Sequence, residues 1–332
     1  MENPLLSICI PTYNRAKYLR SNLLSIFSQV RHPELVEVVV SDNHSTDETE
    51  AVAREFLKYE NFRYFRQEEN IGPAKNFLSN VALAKGEYCW IIGDDDFILQ
   101  ERIESILQLI GENPDVPFFY ATLLDFPMEK FEKYRQPFQT LLYEESPVTT
   151  LEVIHLDKFE ELLSSKYSII FLGEVMAGIF RKSIWDTYTI HPDKNMFASL
   201  ESIYPHCVIH AHTLIGRKAI FIKTPVTLAL SGSRDWYDKL DYILIVYMKK
   251  LIGVYRDNGV KGALLRECYV KYIKTTIPSV LKYLKHGNKN PQLKVSLTNY
   301  FFFLLTHPYS TFLAFAYFIK SRTRRIFGIR NS

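Results

Sequence analysis

The stretch YCWIIGDDDFILQ, Tyr88 to Gln100, starts as an apolar run and stops at three consecutive carboxylates, Asp94, Asp95 and Asp96. A short apolar run closed by a glycine reads as a strand buried on both faces. Adjacent like charges raise one another's pKa unless a cation or solvent relieves them. One local alternative is that a single Asp caps the following helix while the other two are solvated. The position at the mouth of a buried strand favours a hard divalent cation, Mg2+ or Mn2+, shared with the oxygens of a diphosphate.

Working outward, residues 1–125 alternate strands and helices. LLSICIP is a strand, and Asn14 opens a helix bearing Leu19, Leu23, Leu24 and Phe27. LVEVVVSD is the second strand, Asp47 to Tyr59 the second helix, and FRYFRQ a more exposed third strand. Pro73 opens a third helix, Gly86 ends it, and YCWIIGD follows as strand four. A helix through Ile110 and the run VPFFYATLL complete the series. Such alternation implies parallel βαβ units with right-handed crossovers. Ligands of such sheets bind beyond the carboxyl ends of the strands. Three polar clusters fall there: PTYNR (Pro11, Thr12, Tyr13, Asn14, Arg15), SDNHSTD (with Asp42 and Asn43) and GDDD. Asn14 and Asp47 also suit helix caps, whereas Asp42 suits a base or ribose. Asn70, Gly72, Lys75 and Asn76 cluster at the start of the third helix, facing a nucleotide or simply forming its turn. There is no GxGxxG after the first strand and no GxxxxGK[ST], which excludes the usual nicotinamide and P-loop readings.

Residues 126–172 are charged and less periodic. EVMAGIFRKSIW is strand-like, a helix is expected around LESIYPHCVIHAHTL, and KAIFIKTPVTLALS reads as paired strands. From about Asp235 the chain reads as helical.

Hydrophobic residues make up 47% and charged ones 23%, a soluble globular balance with a large core. The net charge of +3 hides an asymmetry, since Cys268 to Ser332 holds eleven Lys and Arg and no Asp or Glu. The remainder carries 29 − 37 = −8. An anionic partner is therefore expected for the tail. Its apolar run VSLTNYFFFLLTHPYSTFLAFAYFIK is interrupted by His307-Pro308, so two short helices are expected rather than one span. Lys320, Arg322, Arg324 and Arg325 beside Phe and Tyr suit an anionic membrane surface; no nucleic-acid module accompanies them. The alternative is a helical pair packed on the rest of the protein. Four scattered cysteines favour neither disulfides nor zinc, and LLSICIP follows no basic leader, so a cytoplasmic location is expected.

The ordered motifs SICIPTYNR, VVVSDNHSTDET, NIGPAKN and AKGEYCWIIGDDD resemble the nucleotide-binding half of family 2 glycosyltransferases. The resemblance implies the GT-A fold, a mostly parallel Rossmann-like α/β sheet flanked by helices. It also implies a nucleotide-sugar donor held by Thr12, Tyr13, Asn14 and Asp42, with a divalent metal. Many members read Asp-small-Asp-Asp, which puts Gly93 at the first position. Asp95 and Asp96 then become the ribose and metal contacts, and Asp94 becomes the spare. NIGPAKNFLSNVALAKGEYCWIIGDDD and SIYPHCVIHA resemble the O-antigen abequosyltransferases, implying a deoxyhexose moved onto a lipid-linked oligosaccharide acceptor. The family takes its general base from the region here reading MFASLESIYPHCVIHAH, where Glu201 and His206 are the candidates and Asp193 an outlier. SGSRDWYDK offers Arg234 for a diphosphate and Trp236 for a sugar face, or else a plain surface turn.

The expected organisation is a GT-A domain over 1–234, with a nucleotide half 1–125 and an acceptor half 126–234, and a helical, basic extension over 235–332. The expected function is metal-assisted sugar transfer in surface polysaccharide synthesis, at the inner face of the cytoplasmic membrane. The alternative is a non-catalytic sugar-nucleotide-binding scaffold of an assembly complex. A nucleotidyltransferase would need a glycine-rich loop that PTYNRAKYL lacks.

Overall fold

A computed structural model describes residues 3–127, 150–168, 170–231, 237–287, 293 and 295–326. The chain forms two compact units, Met1–Phe159 with Leu172–Arg234, and Glu160–Phe171 with Asp235–Ser332.

The first unit is built on a nine-stranded sheet in the order β3-β2-β1-β4-β8-β6-β9-β5, with β7 also paired to β9. β1 (Leu6–Thr12), β2 (Val36–Asp42), β3 (Phe62–Arg66) and β4 (Tyr88–Ile91) run parallel. Every residue of β2 and β4 is buried, as strands covered on both faces require. The cover comes from α1 (Ala16–Phe27), α2 (Thr49–Arg54) and α3 (Pro73–Leu83). The rest of the sheet is mixed, antiparallel except where β6 meets β9. β5 (Asp96–Ile98) precedes α4 (Arg102–Glu112), and β6 (Phe118–Pro127) lies parallel to β9. β7 (Val153–Leu156) and β8 (Gly178–Arg181) follow, then the short α5 (Lys182–Trp185), α6 (Leu200–Ile203) and α7 (Pro205–Thr213), and β9 (Ala219–Ser231). This is the mixed, helix-flanked sheet that the sequence resemblance implies.

Register aligns the parallel strand ends. Thr12 lies opposite Asp42, Asp42 opposite Arg66, and Cys9 opposite Ile91, which brings Thr12 level with Asp94.

Several local expectations are corrected. The Asp triplet does not cap a helix: Asp96 begins β5, hydrogen-bonded to β9, and α4 starts only at Arg102. KAIFIKTPVTLALS is one thirteen-residue strand rather than a hairpin. Its Pro225 sits where the pairing with β6 slips register, a position that tolerates a missing N–H. The expected helix from Leu200 to Leu214 breaks at Tyr204, because the residue before a proline avoids helical backbone. Helix two is shorter than Asp47–Tyr59, and α1 begins at Ala16, since Asn14 has a φ of 54°. The division at 125/126 falls inside β6.

The second unit is helical. A π-turn (Ile243–Tyr247) leads into α8 (Met248–Asp257), followed by α9 (Gly262–His286), α10 (Leu297–Thr306) and α11 (Pro308–Ile326). Buried Lys271 on α9 donates to the Ser168 and Leu163 carbonyls, and Glu267 accepts from Ser164 and Ser165, tying segment 160–171 to this helix. Among the described residues no single helix is long and apolar enough to cross a membrane.

Candidate active site

The four motifs lie at the carboxyl ends of the parallel strands and are wired together. Thr12 donates its hydroxyl to Asp94 Oδ2 at 2.7 Å, joining the ends of β1 and β4. Asn14 N donates to Ser45 Oγ at 2.8 Å, and Asn14 Oδ1 accepts from Thr46 N at 2.7 Å, so this residue bridges two loops rather than capping α1. Asp47 takes the capping role: its carboxylate accepts from Ala16 N and from Thr49 N. Arg15 pairs with Asp95 at 3.4 Å. Pro11 is paired with Ser41 within the sheet, and Tyr13 is left exposed.

Asp42 has 0% exposure. Its Oδ1 accepts from Ser45 N at 2.8 Å, and its Oδ2 accepts from Tyr64 OH at 2.7 Å. Burial, and then the Asp42 carboxylate, push the Tyr64 phenol up. Asp42, expected from the sequence to meet a base or ribose, makes these bonds within its own loop and to β3. Asn43 accepts from Ile71 N at 2.9 Å and donates to Asn70 at 3.1 Å. Asn76, also expected to face a nucleotide, is buried and exchanges hydrogen bonds with Ser41, locking α3 onto β2. Lys75, one position earlier, is exposed. Gly72 has a φ of 88°, and a Cβ there would meet the Lys194 backbone, its Cα at 2.9 Å. That close approach brings the HPDKN segment onto the NIGPAK turn.

The three carboxylates differ. Asp94 and Asp96 are both buried, at 8% and 4% exposure, and Asp95 is half-buried. Burial, reinforced by Asp95, pushes Asp94 up to about 7 against the Thr12 hydrogen bond and Arg15. The sequence comparison made Asp94 the spare; the structure makes it the link to Thr12. Asp95 and Asp96 converge over Gly93. A Cβ on that glycine would stand 2.6 Å from Asp96 Oδ2 and 3.1 Å from Asp95 Oδ1. Among the described residues no group of three or more His, Cys, Asp or Glu is arranged to hold a metal. Two convergent carboxylate oxygens nevertheless fit a divalent ion that takes its other ligands from substrate phosphates and water.

Sequence reasoning missed the support beneath this turn. Asn22 is fully buried in α1 and donates to the carbonyls of Gly93, at 3.1 Å, and Asp96. Gln29 donates to the Ile98 carbonyl at 3.2 Å. A buried amide on the apolar stripe of α1 and a second one in the turn just after it were the available signal, because a buried polar side chain needs a partner.

The base candidates separate as well. His206 is 6% exposed and its Nε2–H donates to the Leu172 carbonyl at 3.2 Å. Its other nitrogen is buried without a partner, and burial lowers the ring to about 4. Glu201, on α6, is partly exposed and accepts from His191 N at 3.3 Å. Ser199 caps α6 by accepting from Ser202 N at 3.1 Å, and α6 packs against α3. Asp193 accepts from Asn195 N at 2.7 Å. Arg234 and Trp236 lie outside the described residues.

The profile of glycosyl transferase family 2 matches residues 7–188, over half of the chain. The chain belongs to this family. It is 40% identical over 114 residues to abequosyltransferase RfbV of Salmonella typhimurium, a match covering 34% of each chain. The chain thus spans about a third of the length of this curated relative. Among solved structures, Staphylococcus aureus TarS 1–349 aligns with a TM-score of 0.58 and 16% identity, over 93% of this chain and 80% of that one. Mannosyltransferase PcManGT of Pyrobaculum calidifontis, solved with GDP-Man and Mn2+, aligns with a TM-score of 0.54 and 16% identity, over 99% and 89%. At such identity these likenesses establish the shared GT-A fold of the family.

Proposed function

We propose that this chain is a nucleotide-sugar-dependent glycosyltransferase that works with a divalent cation. Its acceptor is a lipid-linked oligosaccharide of a surface polysaccharide, met at the cytoplasmic face of the membrane. The observation that carries the reading is the convergence of Asp95 and Asp96 over Gly93, at the end of β4 and tied through Asp94 to Thr12. That is where a donor diphosphate would lie in a sheet of this topology. Exposed Tyr13 would meet the base and exposed Lys75 the phosphates. Asp42, Asn43, Asn70 and Asn76 hold the loops that form the site. The sugar is a deoxyhexose in the reading suggested by the likeness to the abequosyltransferase.

Mn2+ or Mg2+ bound at Asp95 and Asp96 would neutralise charge on the departing nucleoside diphosphate. Glu201 would take the proton of the acceptor hydroxyl. The freed oxygen would then attack the anomeric carbon as the bond from that carbon to the diphosphate breaks. Glu201 is preferred to His206, whose free lone pair is sealed from solvent.

A thermal-shift screen of UDP, GDP, CDP and dTDP with and without Mn2+ tests the donor site, because a ligand bound only to the folded state raises its stability. One nucleotide should stabilise the protein in a metal-dependent way, and Asp96→Ala should abolish both that dependence and transfer. Glu201→Gln should lower kcat by about 10²- to 10⁴-fold while keeping the nucleotide shift. Normal turnover in Glu201→Gln would remove it as the base. Binding without turnover on every lipid-linked acceptor offered would favour a scaffold.

A further inference from the structure

Helices of folded proteins turn their large apolar side chains inward. The last helix does the reverse. On α11 the side chains turned into the second unit are Ser310 and Ala314, while Tyr309, Phe312, Tyr317 and Ile319 are 62%, 72%, 57% and 61% exposed. α10 buries Tyr300 and Phe303 but leaves Phe302 and Leu305 at 65% and 78%. Nine of the fifteen exposed large apolar side chains among the described residues fall between Phe301 and Ile319. This is one contiguous stretch of chain, of the kind that marks an interaction site.

The two helices meet at an angle of 104°. The corner is built rather than frayed: His307 stacks on Phe303 at 4.2 Å and meets the Tyr269 ring edge at 4.4 Å. Thr311 Oγ1 also donates to the Leu304 carbonyl at 2.8 Å. α10 is about 15 Å long and the apolar part of α11 about 18 Å, each well short of a hydrocarbon core of about 30 Å. Bent by 104°, the pair does not make one straight span.

We propose that α10 and α11 form a monotopic anchor whose outward aromatic face lies in one leaflet of an anionic bilayer. Charge decides the occupant. From Cys268 onward the sequence carries eleven cations and no acid. Lys271 is buried and Lys282 pairs with Asp241, but exposed Lys320 lies on α11 itself and the Lys274 ammonium sits over the Tyr317 ring. Two copies meeting through α11 would therefore bring like charges together. Anionic headgroups would instead neutralise them. Phe and Tyr beside basic residues are the composition of such an interface. The anchor rests on the membrane location proposed above, and gives it residues and a depth.

The test uses the full chain with phosphatidylcholine vesicles, with and without phosphatidylglycerol. The protein should co-float with the anionic vesicles, weakly with the neutral ones, and release as salt is raised. Phe302→Ser and Phe312→Ser should each weaken vesicle binding by about tenfold or more, and the double variant should stay in solution. A Phe312→Trp fluorophore should be quenched by lipids brominated near the headgroup and spared by lipids brominated at the chain ends. Full binding by the double variant, equal binding to neutral vesicles, quenching from chain ends, or a concentration-dependent dimer in place of vesicle binding would each overturn the proposal. The nucleotide thermal shift, read on the same proteins, keeps the donor site separate. A lost shift with vesicle binding intact would sink the donor reading alone, and the opposite pattern would sink the anchor alone.

Discussion

Gly93→Ala adds one methyl group between the two carboxylates on which the proposed chemistry depends. Gly93 does not occupy the left-handed region, so alanine meets no backbone strain there. The new Cβ would stand 2.6 Å from Asp96 Oδ2 and 3.1 Å from Asp95 Oδ1. An ordinary carbon–oxygen contact is no closer than about 3.3 Å, so the first oxygen must retreat by about 0.7 Å and the second by about 0.2 Å. The atoms displaced are side-chain ends, and stability should change by no more than about 1 kcal/mol. A divalent ion is less forgiving, since Mg2+ demands near-ideal geometry at about 2.0–2.1 Å. Misplacing a reacting group by about 1 Å costs about 10²-fold, close to 2.7 kcal/mol in transition-state terms. Gly93→Ala should therefore lose about 10²-fold in kcat/KM, need more Mn2+ for half-maximal transfer, and melt near the wild-type temperature. The assay is donor turnover across a Mn2+ titration, with a melting curve on the same preparation. Turnover and metal dependence within about twofold of wild type would refute the idea that these two oxygens hold the ion.

Other substitutions test the support of the site. Gly72→Ala combines a φ of 88° with a Cβ that would collide with the Lys194 backbone, so it should cost about 2 kcal/mol or more in urea unfolding. An unchanged midpoint would mean that the HPDKN segment does not rest on Gly72. Burial holds His206 at about 4, so between there and the ordinary value near 6.5 the unfolded chain binds the extra proton. Its contribution to stability is whole above about pH 6.5 and is lost as pH falls toward 4, about 3 kcal/mol in all. His206→Gln should flatten that part of the stability profile, and an unaltered slope would show that the ring is not buried in its neutral form. Tyr64→Phe should cost about 1–3 kcal/mol by leaving a lone pair of buried Asp42 unpaired, measured by the same unfolding assay. No loss would show that solvent replaces the phenol.

The strand-end chemistry was legible in the sequence because it is local. Continuous apolar runs ending in PTYN, SDN and GDDD specify buried parallel strands, and such strands place those clusters on one edge. The tail's interruption at His307-Pro308 was equally plain, because a proline cannot continue the preceding hydrogen-bond ladder. What the tertiary structure decided was which polar groups spend their hydrogen bonds on the protein. Asp42, Asn43 and Asn76 read as ligand contacts, yet their partners Tyr64, Ile71 and Ser41 come from other strands and loops. His206, one of the two base candidates, is buried and bonded to the carbonyl of Leu172, thirty-four residues away in the chain. Likewise the tie of Asp94 to Thr12 across the sheet, and the approach of Asp95 and Asp96 to Gly93, came from the tertiary structure. Local sequence specifies which chemical groups arrive at the strand ends. Their hydrogen-bond partners and exposure depend on long-range packing, which no local pattern contains.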